Sequence, residues 1–156
     1  MNTYCISALN QIKIALTKTI EIMDTLDETD LDYRPTQDKH SIGELLVHIA
    51  SICKADLLIA NGATQDEMSA FYSSVKYGSL SGIKTGLLDN FQILEESYLN
   101  YIEAELQQEI TSFWGVTYSR YEWLLEILAH IYHHRGQLHA ILVHCYAKDL
   151  KVLMFE

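Results

Sequence analysis

The stretch AHIYHHRGQ, residues 129–137, places His130 and His134 four residues apart within a long apolar repeat of helical period. Residues at this spacing lie one above the other on the same face of a helix, so the two imidazoles can bind one metal ion. His48, at the edge of an apolar repeat far upstream, is the candidate for a third ligand. Three histidines leave one position of a divalent metal open, which is typical of catalytic sites and not of structural ones.

The composition is that of a single globular domain spanning residues 1–156. Hydrophobic residues make up 49% of the chain and charged residues 21%, and a chain of this length forms one core. The net charge of −10, with no basic cluster, argues against nucleic-acid binding. No apolar run approaches the roughly 18 residues that a membrane helix needs, and the N-terminus lacks a signal-peptide pattern. We therefore expect neither a nucleic-acid nor a membrane partner.

The cysteines indicate the compartment. Cys5, Cys53 and Cys145 are odd in number, widely spaced and without a CxxC motif. This pattern argues against a disulfide framework and for the reducing environment of the cytoplasm. We expect Cys53 and Cys145 to be buried small hydrophobic residues and not nucleophiles.

Apolar repeats of 3.6-residue period predict four long amphipathic helices. Two capping boxes, Ser41–Glu44 and Ser119–Glu122, mark where the second and fourth helices begin. Residues 63–82 form one longer connection, in which residues 65–73 are a candidate short helix. The approximate bounds of the four helices are residues 3–26, 41–60, 83–108 and 119–147.

These elements predict an all-α fold, an antiparallel four-helix bundle with one longer connection. No sheet is expected, and residues 110–118 are predicted to form a loop. The tail, residues 148–156, contains the apolar run VLMF at positions 152–155. It must pack on its own bundle or on a partner subunit.

A helical wheel selects the histidines that face the core. With Leu124 at zero and about 100° per residue, the apolar arc of the fourth helix is centred at about 320°. His134 falls inside this arc at about 280°, and His130 at its edge at about 240°. On the second helix, His48 falls at about 240°, at the edge of an arc centred at about 330°. Three other histidines of the fourth helix are turned away from the shared face: His133, His139 and His144.

These histidines also have a plain structural explanation. A lone histidine on an apolar face is most often a hydrogen-bonded core or boundary residue. A chain with this histidine content has about 0.3 pairs at this spacing by chance, so the spacing alone is weak evidence. The pair also lacks the glutamate of the HExxH zinc-protease helix, because Ile131 follows His130. We exclude that chemistry.

Two charged residues inside the apolar arcs are further candidates. Arg135 falls at about 20° on its wheel, where it either extends to the end of the bundle or binds a substrate anion beside the metal. Asp56 falls at about 320°, well within the apolar face of the second helix. A buried carboxylate needs a partner, so Asp56 either accepts a hydrogen bond from a metal-binding histidine or pairs with Arg135. Its remaining alternative is exposure at the helix end.

Three segments of the chain resemble one family. They are YRP at residues 33–35, SIGELLVHIA at 41–50 and HIYHHRGQ at 130–137. Over nearly the whole chain, their order and spacing are similar to those of the DinB-like (DNA-damage-inducible) four-helix-bundle metalloproteins, which include bacillithiol transferases and mycothiol-dependent isomerases. The chain departs from the family in having AKDL at residues 147–150, where members commonly have a glycine after the last helix.

The resemblance implies a divalent metal, often nickel or zinc, held by one histidine of the second helix and the HxxxH pair of the fourth. The matching positions are His48, His130 and His134, the same three that the wheels select. The resemblance also implies a dimer. By itself, a three-histidine ligand set suits zinc, nickel, iron or copper.

The leading functional hypothesis is a cytoplasmic metal-dependent enzyme of the thiol-transferase or hydrolase type. One divalent metal ion, nickel, zinc or iron, activates a water or a low-molecular-weight thiol that attacks a small-molecule substrate between the helices. Arg135 is the candidate for orienting an anionic group of that substrate. The alternative is a non-catalytic helical bundle that binds a small ligand or a partner. We expect a homodimer, because Trp114, the tyrosines and the apolar tail supply interface-like surface.

Overall fold

Four long helices form a bundle in the computed structural model, which describes residues 2–156. They are α1 (Thr3–Met23), α2 (Ile42–Ile59), α4 (Leu80–Asn100) and α6 (Arg120–Ala140), with the shorter α3 (Gln65–Ser74) and α5 (Glu103–Leu106) between them. A 3₁₀ turn at Glu28–Asp32 precedes α2, and a π-helical turn at Ile141–Cys145 continues α6. Within residues 2–156, none of these helices is both long and apolar enough to cross a membrane.

Each long helix packs against two neighbours and lies diagonally opposite the third. Helices α1 and α2 both contact α4 and α6. Asp24, which follows α1, forms an ion pair with Lys84 near the start of α4, so α1 and α4 run antiparallel. Asn61, which follows α2, accepts a hydrogen bond from the hydroxyl of Tyr101, which follows α4. Helices α2 and α4 therefore run parallel.

Helix α6 runs antiparallel to α2. Asp56 of α2 contacts His130 of α6, while Leu45, earlier in α2, lines a cavity with Ile141, which follows α6. It follows that α6 is parallel to α1. Helices α1 and α6 therefore run in one direction, and α2 and α4 run in the other. The predicted fold class, an all-α four-helix bundle, is confirmed, and its antiparallel pairs are α1 with α4 and α2 with α6.

The long connection is a consequence of the parallel pair. Because α2 and α4 run in the same direction, the chain must return along the bundle between them. Residues 60–79 make this crossing, and α3 forms within it where the sequence predicts a short helix. The first turn of α3 has a capping box. Thr64 Oγ1 accepts a hydrogen bond from the Glu67 N–H, and the Glu67 carboxylate accepts one from the Thr64 N–H at 2.7 Å.

Both capping boxes that the sequence predicts are present. At the start of α2, Ser41 Oγ accepts from the Glu44 N–H at 3.1 Å, and Glu44 accepts from the Ser41 N–H at 2.8 Å. Ser119 and Glu122 make the equivalent pair at the start of α6. Arg34 donates two hydrogen bonds to Glu44. Arg34 and the Ser41 N–H together lower the pKa of Glu44 to about 2.

A buried polar contact joins α2 to α4. Asn90 of α4 donates from its amide to the Ala50 carbonyl of α2 at 2.8 Å and to the Tyr77 hydroxyl at 2.9 Å. The ring of Tyr77 reaches this position because it packs on Gly86, where a Cβ would lie only 2.1 Å from a ring carbon. These two hydrogen bonds satisfy the buried NH2 group of Asn90, and the first of them connects the parallel helices α2 and α4.

The predicted loop at residues 110–118 contains a small antiparallel hairpin. Strand β1 (Glu109–Thr111) pairs with β2 (Thr117–Ser119), with Ile110 opposite Tyr118. Gly115 supplies the positive φ of 93° that the turn requires. The expectation of no sheet was wrong here, because β-branched and aromatic residues favour extended pairing even in a short connection. The hairpin lies outside the bundle core.

Two helix ends also differ from the sequence-based bounds. The third long helix ends at Asn100 instead of about residue 108, since Tyr101 is extended and its ring packs under the guanidinium of Arg120. The last helix is α-helical only to Ala140 and then widens into the π-helical turn. The apolar repeat of a sequence does not reveal tertiary contacts of this kind, so it cannot predict where these helices end.

The C-terminal tail packs on its own chain. Leu150 is 7% exposed and belongs to the main core. Lys148 forms an ion pair of 2.8 Å with Asp30, a buried residue of the 3₁₀ turn. Ala147 has a φ of 50°, the left-handed conformation that glycine adopts without a steric cost. Ala147 begins the AKDL stretch, residues 147–150, in which the chain departs from the family that it resembles.

Replacing Ala147 with glycine tests this conformation. We expect Ala147→Gly to stabilise the fold by about 0.5–1 kcal/mol, because the relief of left-handed strain exceeds the entropy that glycine adds to the unfolded chain. Urea unfolding followed by circular dichroism measures the difference. Ala70→Gly, in the exposed interior of α3, is the matched control and should destabilise by up to about 1 kcal/mol. Destabilisation in both variants would contradict the assignment.

Candidate metal centre

Three imidazoles meet between α2 and α6. Nε2 of His48 lies 3.3 Å from Nε2 of His130, and the His48 and His134 ring centroids are 4.4 Å apart. One ring nitrogen from each of the three histidines lies within 4.8 Å of the others. The structure thus brings together the three residues that the sequence proposed as ligands. The donor set of three half-buried ring nitrogens fits a divalent transition metal.

The i,i+4 spacing and the antiparallel packing of α2 against α6 produce this cluster. His130 and His134 occupy successive turns of α6, and their ring centroids are 4.8 Å apart. His48 approaches from the second turn of α2, at the margin of the apolar face that faces α6. Each ring is partly exposed, so the site lies at the edge of the core and not inside it.

Two of the three rings also form a hydrogen bond through Nδ1, one with a carboxylate oxygen and the other with an amide oxygen. Asp56 Oδ2 lies 2.7 Å from Nδ1 of His130, and Asp56 is 6% exposed. Gln137 Oε1 lies 2.9 Å from Nδ1 of His134. When Nδ1 of a histidine donates to such an oxygen, Nε2 presents its lone pair. Both bonds therefore orient Nε2 of His130 and His134 for metal binding.

The protonation states follow from these contacts. Burial, reinforced by His134 and His130, lowers the pKa of His48 to about 4. Burial also lowers the pKa of His134. The hydrogen bond to Asp56 raises the pKa of His130. His48 and His134 are thus neutral at pH 7, which is the form that binds a metal.

Glu126 extends the polar site along α6. It lies one turn before His130, and its carboxylate forms a close group with Asp56 and the His130 imidazole, with ligand atoms within 4.8 Å of one another. Burial and the Asp56 carboxylate raise the pKa of Glu126. The sequence analysis missed Glu126 and Gln137, although their spacings of four and three residues from the ligand histidines could have identified both.

Two cavities open beside the cluster. The larger, about 690 Å³, adjoins His134 and lies between the residue 35–40 segment and the C-terminal half of α6. The smaller, about 260 Å³, adjoins His130 and is covered by the β1–β2 hairpin. The larger cavity is lined in part by Pro35, His40, Leu45, Gln137 and Cys145. Cys145 is exposed there, so the expectation that it is buried was wrong, whereas Cys53 is buried as predicted.

The remaining histidines lie outside the cluster of ligand candidates. Within residues 2–156, neither group of close potential ligands includes His133, His139 or His144. His133 is exposed, although its ring lies 4.8 Å from that of His134. His40 was not considered from the sequence, and its ring centroid lies 6.0 Å from that of His48.

Arg135 contacts the C-terminal tail and not the histidine cluster. Its Nη1 donates to the Met154 carbonyl at 2.8 Å, and the guanidinium packs against the rings of Tyr132 and Phe155. Of the two partners considered for Asp56, the structure has His130 and not Arg135. A substrate-binding role for Arg135 remains a prediction, and its contacts in the structure are those of a tail anchor.

Comparison with known proteins agrees with this architecture. The model of the DinB superfamily matches residues 11–138.

The chain belongs to the DinB superfamily.

A DinB-family protein structure from Exiguobacterium sibiricum 255-15 is 32% identical, with a TM-score of 0.87 over 99% of both chains. The DinB-like protein YjoA of Bacillus subtilis is 16% identical, with a TM-score of 0.72 over 96% of this chain and 98% of its own. A DinB-like protein of Bacillus cereus ATCC 10987 is 18% identical, with a TM-score of 0.70 over 89% and 91%. The two Bacillus structures share the fold. A comparison with curated protein sequences gives no significant match.

Metal content distinguishes the ligand histidines from their neighbour. We expect His134→Ala to abolish metal retention, because it removes one of three ligands, whereas His133→Ala leaves the content unchanged. Elemental analysis of untagged protein measures the stoichiometry, and circular dichroism checks that both variants are folded. Equal loss in the two variants would show that the cluster is not the binding site.

The Asp56 hydrogen bond predicts an effect on affinity. We expect Asp56→Asn to weaken metal binding by about 10–100-fold, because it removes the charged acceptor that orients His130. Competition with a chromophoric chelator measures the dissociation constant. Asp89→Asn, on the exposed face of α4, is the matched control and should bind as the wild type does. Identical constants for all three proteins would refute the orienting role.

Proposed function

We propose that this DinB-superfamily chain is a metal-dependent enzyme of the thiol-transferase or hydrolase type. The observation that carries the proposal is the convergence of His48, His130 and His134 beside two cavities. Three protein ligands and an adjoining cavity are the features of a catalytic metal site, whereas structural sites have four ligands and are closed. The chemistry assigned to the site is our inference from this arrangement.

The chain's own residues have separable tasks in this proposal. His48, His130 and His134 would hold one divalent metal, with nickel, zinc and iron as the candidates. When bound, such a metal acts as a Lewis acid that lowers the pKa of a water or a thiol. Asp56 accepts from Nδ1 of His130 and Gln137 accepts from Nδ1 of His134, and in the neutral rings this leaves the lone pair on Nε2. These contacts orient the ligand nitrogens toward the metal position.

The larger cavity is the proposed entrance for a small-molecule substrate. Its volume of about 690 Å³ is in the range that holds small ligands. His134 lies at its inner wall, and Lys39 lies in its lining, where an ammonium can attract an anionic substrate group. A low-molecular-weight thiol is our candidate for this cavity. Cys145 also lines it. A mutation of Cys145 therefore distinguishes a direct role of its thiol from the role of the metal site.

A sealed site without an adjoining cavity would favour the alternative, a non-catalytic helical bundle that binds a small ligand or a partner. The two cavities that adjoin the histidines favour the enzyme. The alternative would regain support if the metal bound tightly but changed no reaction rate.

An activity assay with two arms tests the proposal. Metal-loaded protein is offered bacillithiol or cysteine with an aromatic halide electrophile, and separately an activated ester. We expect turnover in one arm, and a loss of about a hundredfold or more in His134→Ala, since the metal contributes several kcal/mol to the transition state. Cys145→Ser should retain the activity. Rates in both arms no higher than those of His134→Ala would contradict the proposal.

We also propose that the chain forms a homodimer. Leu153 and Phe155 of the tail are 65% and 71% exposed, and exposed apolar surface of this kind is typical of interfaces. Light scattering at micromolar concentration measures the mass. We expect twice the chain mass of 17.9 kDa, and a single mass near that of one chain would contradict the dimer.

A further inference from the structure

The smaller cavity has a chemistry of its own, distinct from that of the larger one. Its volume is about 260 Å³. Four aromatic side chains line it, together with two carboxylates and the His130 ring. The aromatic residues are Tyr72 of α3, Phe113 and Trp114 of the hairpin, and Trp123 of α6, and the carboxylates are Asp56 and Glu126.

The aromatic rings are held in place before any ligand binds. Trp123 Nε1 donates to the Ile110 carbonyl at 3.1 Å, which ties the hairpin to α6. The rings of Phe113 and Trp114 pack edge to face at 4.8 Å, and Trp114 does the same with Trp123 at 6.2 Å. The hairpin turn is closed by the Val116 N–H, which donates to Ser112 Oγ at 3.0 Å. Such a preorganised wall loses little entropy on binding.

The exposure of the rings is unusual for side chains that serve only packing. Trp114 is 52% exposed and Tyr72 48% exposed, and both line the cavity. Exposed apolar side chains that cluster in one place indicate a binding surface, whereas singly scattered ones do not. The lining of the cavity thus combines exposed aromatic side chains with two carboxylates.

The charge of the lining selects the ligand class. Asp56 and Glu126 both present carboxylates, and within residues 2–156 no lysine or arginine lines the cavity. Asp56 accepts a hydrogen bond from His130, and the Glu126 carboxylate lies within 4.8 Å of both groups. Aromatic faces attract cations, and in the metal-free protein two nearby carboxylates add to this attraction and disfavour anions. A divalent ion on His130 would offset the charge of these carboxylates.

We infer that this cavity is a binding subsite for an organic cation, a small molecule or substrate group that carries an ammonium on a compact apolar body. As an assignment of substrate class it rests on the proposed function, because the subsite shares His130 with the metal centre. The binding itself does not depend on catalysis. The volume of about 260 Å³ limits the occupant to a headgroup-sized moiety.

Three probes of nearly equal shape test the charge preference. They are choline, the neutral alcohol in which carbon replaces its nitrogen, and the carboxylate anion with the same tert-butyl group. Ligand-observed NMR of the methyl protons gives each dissociation constant, with chelator-treated and zinc-loaded protein. In the chelator-treated protein we expect choline to bind about tenfold or more tightly than the neutral alcohol, and the anion not to bind. Zinc loading should reduce this preference, because the ion offsets the two carboxylates.

Two variants locate the site. Glu126→Gln keeps the shape and removes a charge, and it should weaken choline binding by about tenfold while leaving the neutral alcohol unchanged. Trp114→Ala, at an exposed position that the core does not need, should weaken choline binding to a similar degree. The matched controls are Glu96→Gln and Tyr4→Ala, which alter an exposed carboxylate and an exposed aromatic elsewhere. Both should bind choline as the wild type does.

The outcomes separate this inference from the proposed function. Equal binding of choline and the neutral alcohol, no saturable choline binding at millimolar concentration, or insensitivity to Glu126→Gln would each overturn the inference. Choline binding by a protein that takes up no metal when metal is offered would support the subsite and contradict the proposed function. Metal-dependent turnover without choline binding would support the proposed function and overturn the subsite.

Discussion

A hydrogen bond between Asp56 on α2 and His130 on α6 is the contact on which the candidate centre depends. It crosses the interface of two antiparallel helices at 2.7 Å, and the carboxylate is almost completely buried. A hydrogen bond to a charged group contributes about 1.5–3 kcal/mol, and Asp56 left without His130 would be a buried carboxylate without compensation. The bond therefore fixes the register of α2 against α6, and it directs Nε2 of His130 toward His48.

The bundle supplies the histidines, but its connections supply the cavities. The parallel pairing of α2 with α4 requires a crossing segment, and α3 within that segment contributes Tyr72 to the smaller cavity. The hairpin between α5 and α6 closes the same cavity. The segment before α2 forms a wall of the larger cavity, where Lys39 and His40 lie. One face of α6 thus meets two chemical environments, acidic and aromatic near His130 and more mixed near His134.

Helical periodicity was sufficient for the residues whose role depends on their own helix. The wheels placed His48, His130 and His134 at the margins of inward faces, and the structure brings their rings together. Asp56 was placed on the apolar face of α2, but only the structure chooses between its two possible partners. The capping boxes at Ser41 and Ser119 were visible from the sequence because a cap is a local interaction.

Features that depend on contacts between distant segments could not be predicted in this way. The direction of α2 relative to α4 follows from a crossing segment whose path is not periodic. The wheel could not decide whether Arg135 extends to the bundle end or binds an anion, because its contact, the Met154 carbonyl, is nineteen residues away in an irregular tail. The hairpin and the exposed Cys145 depend on where α4 and α6 end, and tertiary packing decides those ends.

X-ray absorption at the metal edge tests the central claim most directly, because it reports the ligand atoms themselves. Protein purified without a tag and loaded with one equivalent of nickel or zinc provides the sample. The account predicts a first shell of nitrogen or oxygen at about 2.0–2.1 Å, outer-shell scattering of three imidazoles and no sulfur. His48→Ala should reduce the imidazole contribution by one ring. A sulfur shell, or a spectrum that His48→Ala does not change, would contradict it.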